Sequence, residues 1–296
     1  MKKLLIALVL LLVLGGGVLH YLHLDVLWWH SWRMQQAPAH HDSLALDRYR
    51  VDIQRQPIEG LDDDVSALTF NPQTGTLFAV LNGEPLLVEL SVEGRLLRKV
   101  RINGVHDMEG LTYVAGNRFV IAEERSQRLI EIEVADDAVE LDVAGAPSLS
   151  IGLDLNGNKG FEGLSWDQRL QRLLVVKERD PLRVLAVSGF IGAQPGSPIA
   201  VRIEELKSPD SLWLFMRDLS SLSLHDETGH LLLLSDESNM LVEYDEDSHP
   251  RSLLGLWRGM HGLEHTVPQA EGLAMDEQQR LYLVSEPNLF YRFVPE

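Results

Sequence analysis

Residues 107–113 read Asp-Met-Glu-Gly-Leu-Thr-Tyr, and close variants of this stretch recur along the chain. They are Asp-Val-Ser-Ala-Leu-Thr-Phe at 64–70, Gly-Phe-Glu-Gly-Leu-Ser-Trp at 160–166, Asp-Leu-Ser-Ser-Leu-Ser-Leu at 218–224 and Gln-Ala-Glu-Gly-Leu-Ala-Met at 269–275. The third position holds Ser66, Glu109, Glu162, Ser220 and Glu271, and a leucine follows two residues later each time. A second apolar run ends at Asn82, Glu124, Glu178, Asp236 and Glu286, 15 or 16 residues after the third position. A register kept through five copies is internal repetition, the mark of a repeat architecture.

Each copy continues in the same way. Third apolar runs lie at 86–90, 129–134, 183–187, 240–244 and 289–293, and fourth runs at 96–102, 139–143, 199–203 and 252–257. Short apolar segments separated by turn residues predict consecutive antiparallel strands. Copies spaced by 43, 53, 58 and 51 residues match propeller blades stretched by loops. The fifth copy has three strands, and residues 49–55 upstream alternate apolar and polar as a strand does. The expected fold is all-β: a five-bladed β-propeller over 48–296, closed by that N-terminal strand in the outer position of the last blade. A two-domain sandwich is the rival, disfavoured by the repeat and the borrowed strand.

Ahead of the propeller, Lys2 and Lys3 precede an apolar run from Leu4 to Leu24, about the ~20 residues a bilayer-spanning helix requires. Trp28, Trp29 and Trp32 follow where an interfacial aromatic belt would fall. No small-residue cleavage motif follows the run, so an uncleaved anchor over 1–30 is expected, with a cleaved signal peptide as the alternative. Positive charge at the start places the propeller on the periplasmic or extracytoplasmic side of the inner membrane. His20, His23 and His30 read as polar residues of the membrane edge. Residues 31–47, with Pro38, His40 and His41, read as a linker.

Composition narrows the function. The formal net charge is −18, which argues against nucleic acid as a partner. There is no cysteine, so disulfides, thiol catalysis and a lipid-modified cysteine anchor are all excluded. No glycine-rich phosphate loop or nucleophile elbow is present.

The acidic positions carry the chemistry. First strands line a propeller's channel, so Glu109, Glu162 and Glu271 should ring its mouth, with Glu124, Glu178, Asp236 and Glu286 as a second column. Carboxylates so gathered either take up protons or hold a cation, and oxygen donors without a His or Cys cluster suit Ca²⁺. Alternatively the acids bond to backbone or to Arg125, Lys177 and Arg179. The stretch Asp154-Leu-Asn-Gly-Asn-Lys-Gly-Phe-Glu162 spaces oxygen-bearing side chains as calcium loops do, but without an EF-hand's glycine and glutamate, and reads equally as an Asn/Gly turn. His106 and His225 lie beside repeat starts and are candidates for action near the channel.

The apolar N-terminus, the Glu-Gly-Leu at Glu109, Glu162 and Glu271, and Leu-Ser-Asp-Glu-Ser-Asn at 234–239 resemble the SdiA-regulated (YjiK-like) family, over about 51–293 plus the anchor. The resemblance implies a five-bladed propeller akin to NHL-repeat proteins and a bound calcium ion. The serines Ser66 and Ser220 interrupt the glutamate column. The expectation is a monomeric, membrane-anchored calcium-binding module whose partner is a cell-envelope protein or glycan. The alternative is a calcium-dependent hydrolase, lactonase- or phytase-like, using the channel-mouth carboxylates.

Overall fold

The computed structural model describes residues 2–21, 24–36, 42–62, 64–193, 200–207 and 214–296. His23, Pro38, His40, His41 and Ile199, named above, lie outside these residues. The body is a ring of five antiparallel sheets. Blade 1 is built from Val65–Asn71, Thr76–Leu81, Leu86–Leu90 and Leu96–Asn103. Blade 2 follows with Met108–Ala115, Arg118–Glu123, Arg128–Glu133 and Ser148–Ser150, and blade 3 with Phe161–Asp167, Arg172–Lys177, Arg183–Ser188 and Arg202–Lys207. Blade 4 comprises Ser221–His225, His230–Ser235, Met240–Tyr244 and Pro250–Gly255. Blade 5 has Ala270–Met275, Leu281–Ser285 and Leu289–Pro295, and its outer strand is Tyr49–Pro57, as the alternation at 49–55 predicted. Tyr49 pairs with Pro295 and Pro57 with Leu289, so the ring is closed by hydrogen bonds between distant parts of the sequence. Closure leaves no blade without a neighbour on either flank.

The first strands pack side by side around the axis, each against the first strand of the next blade. Between blades the apolar faces form five core clusters. Leu68, Leu111, Leu164, Leu222 and Leu273, the invariant leucine of the repeat, are all buried there. Leu174, Leu232 and Leu283 show why the second strands are apolar on both faces. A central strand of a blade is covered on each side by a neighbour, so alternation is lost.

Two outer edges differ from expectation. Residues 139–143 do not complete blade 2. Within them Glu140–Asp142 lies parallel to Leu96–Asn103 and adds a fifth strand to blade 1. The N–H of Arg101 donates to Val139 and that of Val143 to Asn103, while Leu141 and Val143 join the core beside Val100 and Ile102. Arg98 reaches across to the carbonyls of Ala135 and Asp136 and fixes the crossover. The chain then returns, and Ser148–Ser150 pairs with Arg128–Glu133 as the outer strand of blade 2. In blade 3 the outer strand is Arg202–Lys207, displaced toward the C-terminus from the expected 199–203.

At the N-terminus a helix, Lys2–Tyr21, has no buried residue and is long and apolar enough to cross a membrane. A second helix, Leu24–Gln36, extends into the residues read as linker. It is docked on the propeller: the His30 ring stacks on Phe215 at 4.3 Å and 5°, and Met34 packs against the core between blades 3 and 4. His30 is therefore a packing residue. Trp28, Trp29 and Trp32 remain exposed. Further on, residues 42–46 cross the outer strands of blade 4. There the buried Glu243 accepts hydrogen bonds from Ser43 Oγ (2.7 Å), the Leu44 N–H (2.8 Å) and Ser252 Oγ, and its carboxylate also meets His230 Nδ1 at 2.7 Å.

Candidate metal centre

The repeat's Glu-Gly-Leu has a physical explanation in the strand geometry. In blades 1, 2, 3 and 5 the pairing of first and second strands slips at the third position: Ser66, Glu109, Glu162 and Glu271 are each skipped by the ladder. A bulge of this kind re-aims a side chain without breaking the strand. The glycine that follows allows the next first strand to approach. A Cβ on Gly163 would meet the Leu222 nitrogen at 2.8 Å, and one on Gly272 would meet the Leu68 nitrogen at 2.9 Å. The second column is tied to the same end by a recurring bond. The N–H groups of Asn82, Glu124, Glu178 and Glu286 donate to the carbonyls of Asp64, Asp107, Gly160 and Gln269, each at 3.0 Å.

At three of these positions the side chain reaches the following blade. Asn82 Nδ2 donates to Glu109, the Gly160 N–H donates to Glu124 Oε1 at 3.0 Å, and the Ala270 N–H donates to Asp236 Oδ1 at 3.2 Å. In blades 2 and 3 this brings carboxylates face to face. Oxygens of Glu124, Glu162 and Glu178 lie within 4.8 Å of one another, as do those of Asp107, Glu109 and Glu124. Glu124 belongs to both groups, is wholly buried, and its Oε2 has no hydrogen-bond donor among the described residues. The remaining predicted acids, Glu271, Asp236 and Glu286, stand on the blade 4–5 side of the same end. Glu271 feels Asp236, Glu109 and Glu286, and Glu286 accepts from Gln269 Nε2 at 2.8 Å.

Burial in company of like charge pushes Glu109, Glu124, Glu162, Glu178, Asp236 and Glu271 upward. Glu109 is raised to about 8 by desolvation, with Glu124 and Asp107 adding repulsion. Glu271 rises to about 9 by desolvation and then Asp236. Glu178 reaches about 7, desolvation outweighing the Arg179 guanidinium at 2.9 Å, and Asp236 about 6. Glu162 is driven well above the carboxylate range by burial, then by Glu109 and Glu124. Glu124 is raised too, chiefly by desolvation, against the Gly160 N–H that favours its charge. Carboxylates in this state hold protons or a cation. The donors are hard oxygens with no imidazole or thiolate among them, a set that could bind a metal ion.

Of the basic residues weighed against a metal, Arg179 does meet Glu178 and Arg125 meets Asp107, at 3.1 Å. Lys177 turns away. It is fully buried and donates to the carbonyls of Lys159 (2.7 Å) and Arg179 (2.6 Å) and, at 3.4 Å, to Asn156 Oδ1. The loop beginning at Asp154 is thus gathered around an ammonium group. Asp154 pairs with Arg183 at 2.8 Å, and Asn158 Oδ1 accepts from Arg125 at 2.6 Å. The side-chain oxygens of Asp154, Asn156 and Asn158 thus face Arg183, Lys177 and Arg125. Asp107 and Asp218 are acids of this end that the repeat alignment treated only as starting residues. Asp107 joins the cluster, and Asp218 accepts from Ser235 and the Glu237 N–H (3.1 Å). Aspartate at the first repeat position was the available signal. His106 stays at the acidic end, exposed, whereas His225 closes its strand at the opposite end of the channel, with Nδ1 2.8 Å from Thr228 Oγ1.

A cavity of about 80 Å³ lies beside the acidic end, lined by Asn82, Gly83, His106 and Asp107 among others. A larger one, about 540 Å³, opens at the far end of the channel.

Among solved structures, a nidogen/laminin complex matches 76% of this chain and 73% of its own, with TM-score 0.51 and 12% identity. A luciferin-regenerating enzyme matches 81% and 94%, with TM-score 0.49 and 13% identity. A streptogramin B lyase matches 86% and 100%, with TM-score 0.49 and 6% identity. At such identities the likeness is one of fold. The sequence itself is more specific: residues 41–294 match the SdiA-regulated family, and the chain belongs to that family.

Proposed function

We propose that this protein is a membrane-anchored, extracytoplasmic β-propeller that holds one calcium ion among the carboxylates of blades 2 and 3 and acts as a binding module at the cell envelope. Glu124, Glu162 and Glu178, with Glu109 and Asp107 beside them, would hold the ion. The ion would neutralise charge that burial makes costly and clamp the two blades together. Glu271, Asp236 and Glu286 are outer members of the set and would act by their charge. One observation carries the reading: the orphaned, wholly buried Glu124 Oε2 amid other carboxylates. The exposed helix Lys2–Tyr21 and its N-terminal lysines support the anchor and its orientation. The small volume beside the acidic end supports a binding module over a hydrolase acting at these carboxylates.

The test is calorimetric titration of the full chain in lipid nanodiscs with calcium, together with thermal melts before and after chelation. One ion should bind, and saturation near a hundredfold over Kd should stabilise by about 2.7 kcal/mol, a midpoint shift of roughly 5–10 °C. Glu124→Gln and Glu162→Gln should each weaken binding by at least about tenfold, worth ~1.4 kcal/mol. Absence of both binding heat and a chelator effect would leave the cluster as a protonated structural network.

A further inference from the structure

The far end of the channel is built from the last two residues of each repeat, and its chemistry differs from the acidic end. The seventh position holds Phe70, Tyr113, Trp166, Leu224 and Met275, one large apolar side chain per blade, all half-buried and lining the 540 Å³ cavity. The sixth position fixes them. Thr69 Oγ1 accepts from the Tyr113 N–H (3.1 Å), Thr112 Oγ1 from the Trp166 N–H (3.0 Å) and Ser165 Oγ from the Leu224 N–H (3.0 Å). Hydroxyls of one blade thereby set the backbone of the next, and the aromatic residues stand on a rigid ring.

Above that ring the rim is acidic. Asp226, Glu227 and Glu277 are exposed, line the cavity, and make no ion pair with a described residue. No lysine or arginine is among the lining residues. The nearby Arg169 is committed to Glu246 and Arg280 to Asp276. The volume falls within the range of small-molecule sites, roughly 300–1,000 Å³. Aromatic faces and unpaired carboxylates both attract positive charge, and a cation seated between them satisfies both.

We propose that this cavity binds a small organic cation, an amine carried on a flat aromatic or apolar body. The body lies against Trp166, Tyr113 and Phe70, and the amine faces Asp226, Glu227 and Glu277. The site is independent of calcium at the other end.

Three indoles that differ in charge test this: tryptamine, its neutral alcohol tryptophol, and indole-3-acetate. Each is titrated calorimetrically into the full chain in nanodiscs with calcium present, against empty nanodiscs. Tryptamine should bind about tenfold more tightly than tryptophol, and indole-3-acetate more weakly than either. The double variant Glu227→Gln, Glu277→Gln changes only exposed positions. It should reduce tryptamine affinity at least about fivefold and leave tryptophol unchanged. Trp166→Ala should weaken both, with its thermal midpoint recorded as a check on folding. Equal affinity for the three probes, no tryptamine binding at about 1 mM, or an unaltered double variant would overturn the proposal. So would loss of tryptamine binding in Glu271→Gln, which would move the site to the acidic end.

Discussion

Replacing Glu243 by leucine removes the acceptor on which the N-terminal segment is hung. The carboxylate has no exposed surface and serves Ser43, the Leu44 N–H, Ser252 and His230. Leucine fills a similar volume but accepts nothing. The Leu44 N–H and the His230 ring are then left buried without their partner, at about 1–3 kcal/mol each. With the weaker hydroxyl losses the expected cost is about 3–5 kcal/mol, in line with breaking a buried charged network. For a domain of this size that lowers the thermal midpoint by roughly 6–20 °C. Glu243→Gln keeps one carbonyl acceptor, and the serine hydroxyls can rotate to accept from its amide, so its cost should be about 1 kcal/mol. Circular-dichroism melts of the two variants separate the cases. Limited trypsin digestion supplies a local readout, because release of residues 42–46 should speed cleavage at Arg48. A leucine variant within about 1 kcal/mol of the parent, with unchanged cleavage, would refute the view that Glu243 secures this segment.

Two further outcomes follow from burial of charge. In calcium-free protein the folded-state values of Glu109, Glu178 and Glu271, about 8, 7 and 9, lie above the unfolded carboxylate value, so the fold binds more protons than the unfolded chain. Stability should therefore be full below about pH 4 and fall as pH rises toward 9, by about 1.4 kcal/mol per pH unit for each proton retained. Saturating calcium should flatten the slope, and a calcium-free midpoint that rises from pH 5 to 8 would contradict the argument. Lys177→Met should strand the carbonyls of Lys159 and Arg179, cost about 3 kcal/mol in chemical unfolding, and expose the loop from Asp154 to protease; an unchanged loop would mean that the ammonium is dispensable.

Much of the fold was legible because a propeller writes its symmetry into the chain. The first-strand heptapeptide, the second apolar run and the alternating 49–55 each answer to a local rule, and the ring repeats that rule. Residues 139–143 were legible as a strand but not as to which edge they join. Periodicity names the faces of a strand and is silent about its neighbour, and here Arg98 and the free edge of blade 1 decide the matter. The acidic columns were visible as spacing. Their convergence on blades 2 and 3 depends on bulges that leave no separate trace in composition. Among the described residues His30 and Met34 show the docking of the second helix, and no period in the sequence announces it. The far-end ring of Phe70, Tyr113, Trp166, Leu224 and Met275 was in plain view in the repeat, yet apolar residues at a strand's end read first as core.

The closing strand has a mechanical meaning as well. Tyr49–Pro57 is the outermost strand of blade 5 and also the first propeller strand reached from the N-terminal helices. Any pull applied through those helices meets the docking of His30 and Met34 first, then the Glu243 fastening, and then the ladder between Tyr49–Pro57 and Leu289–Pro295. Tension along that strand loads its hydrogen bonds side by side, in shear, instead of peeling them one at a time. The seam that completes the ring is thus oriented to bear load, and the two ends of the propeller sequence share whatever force reaches it.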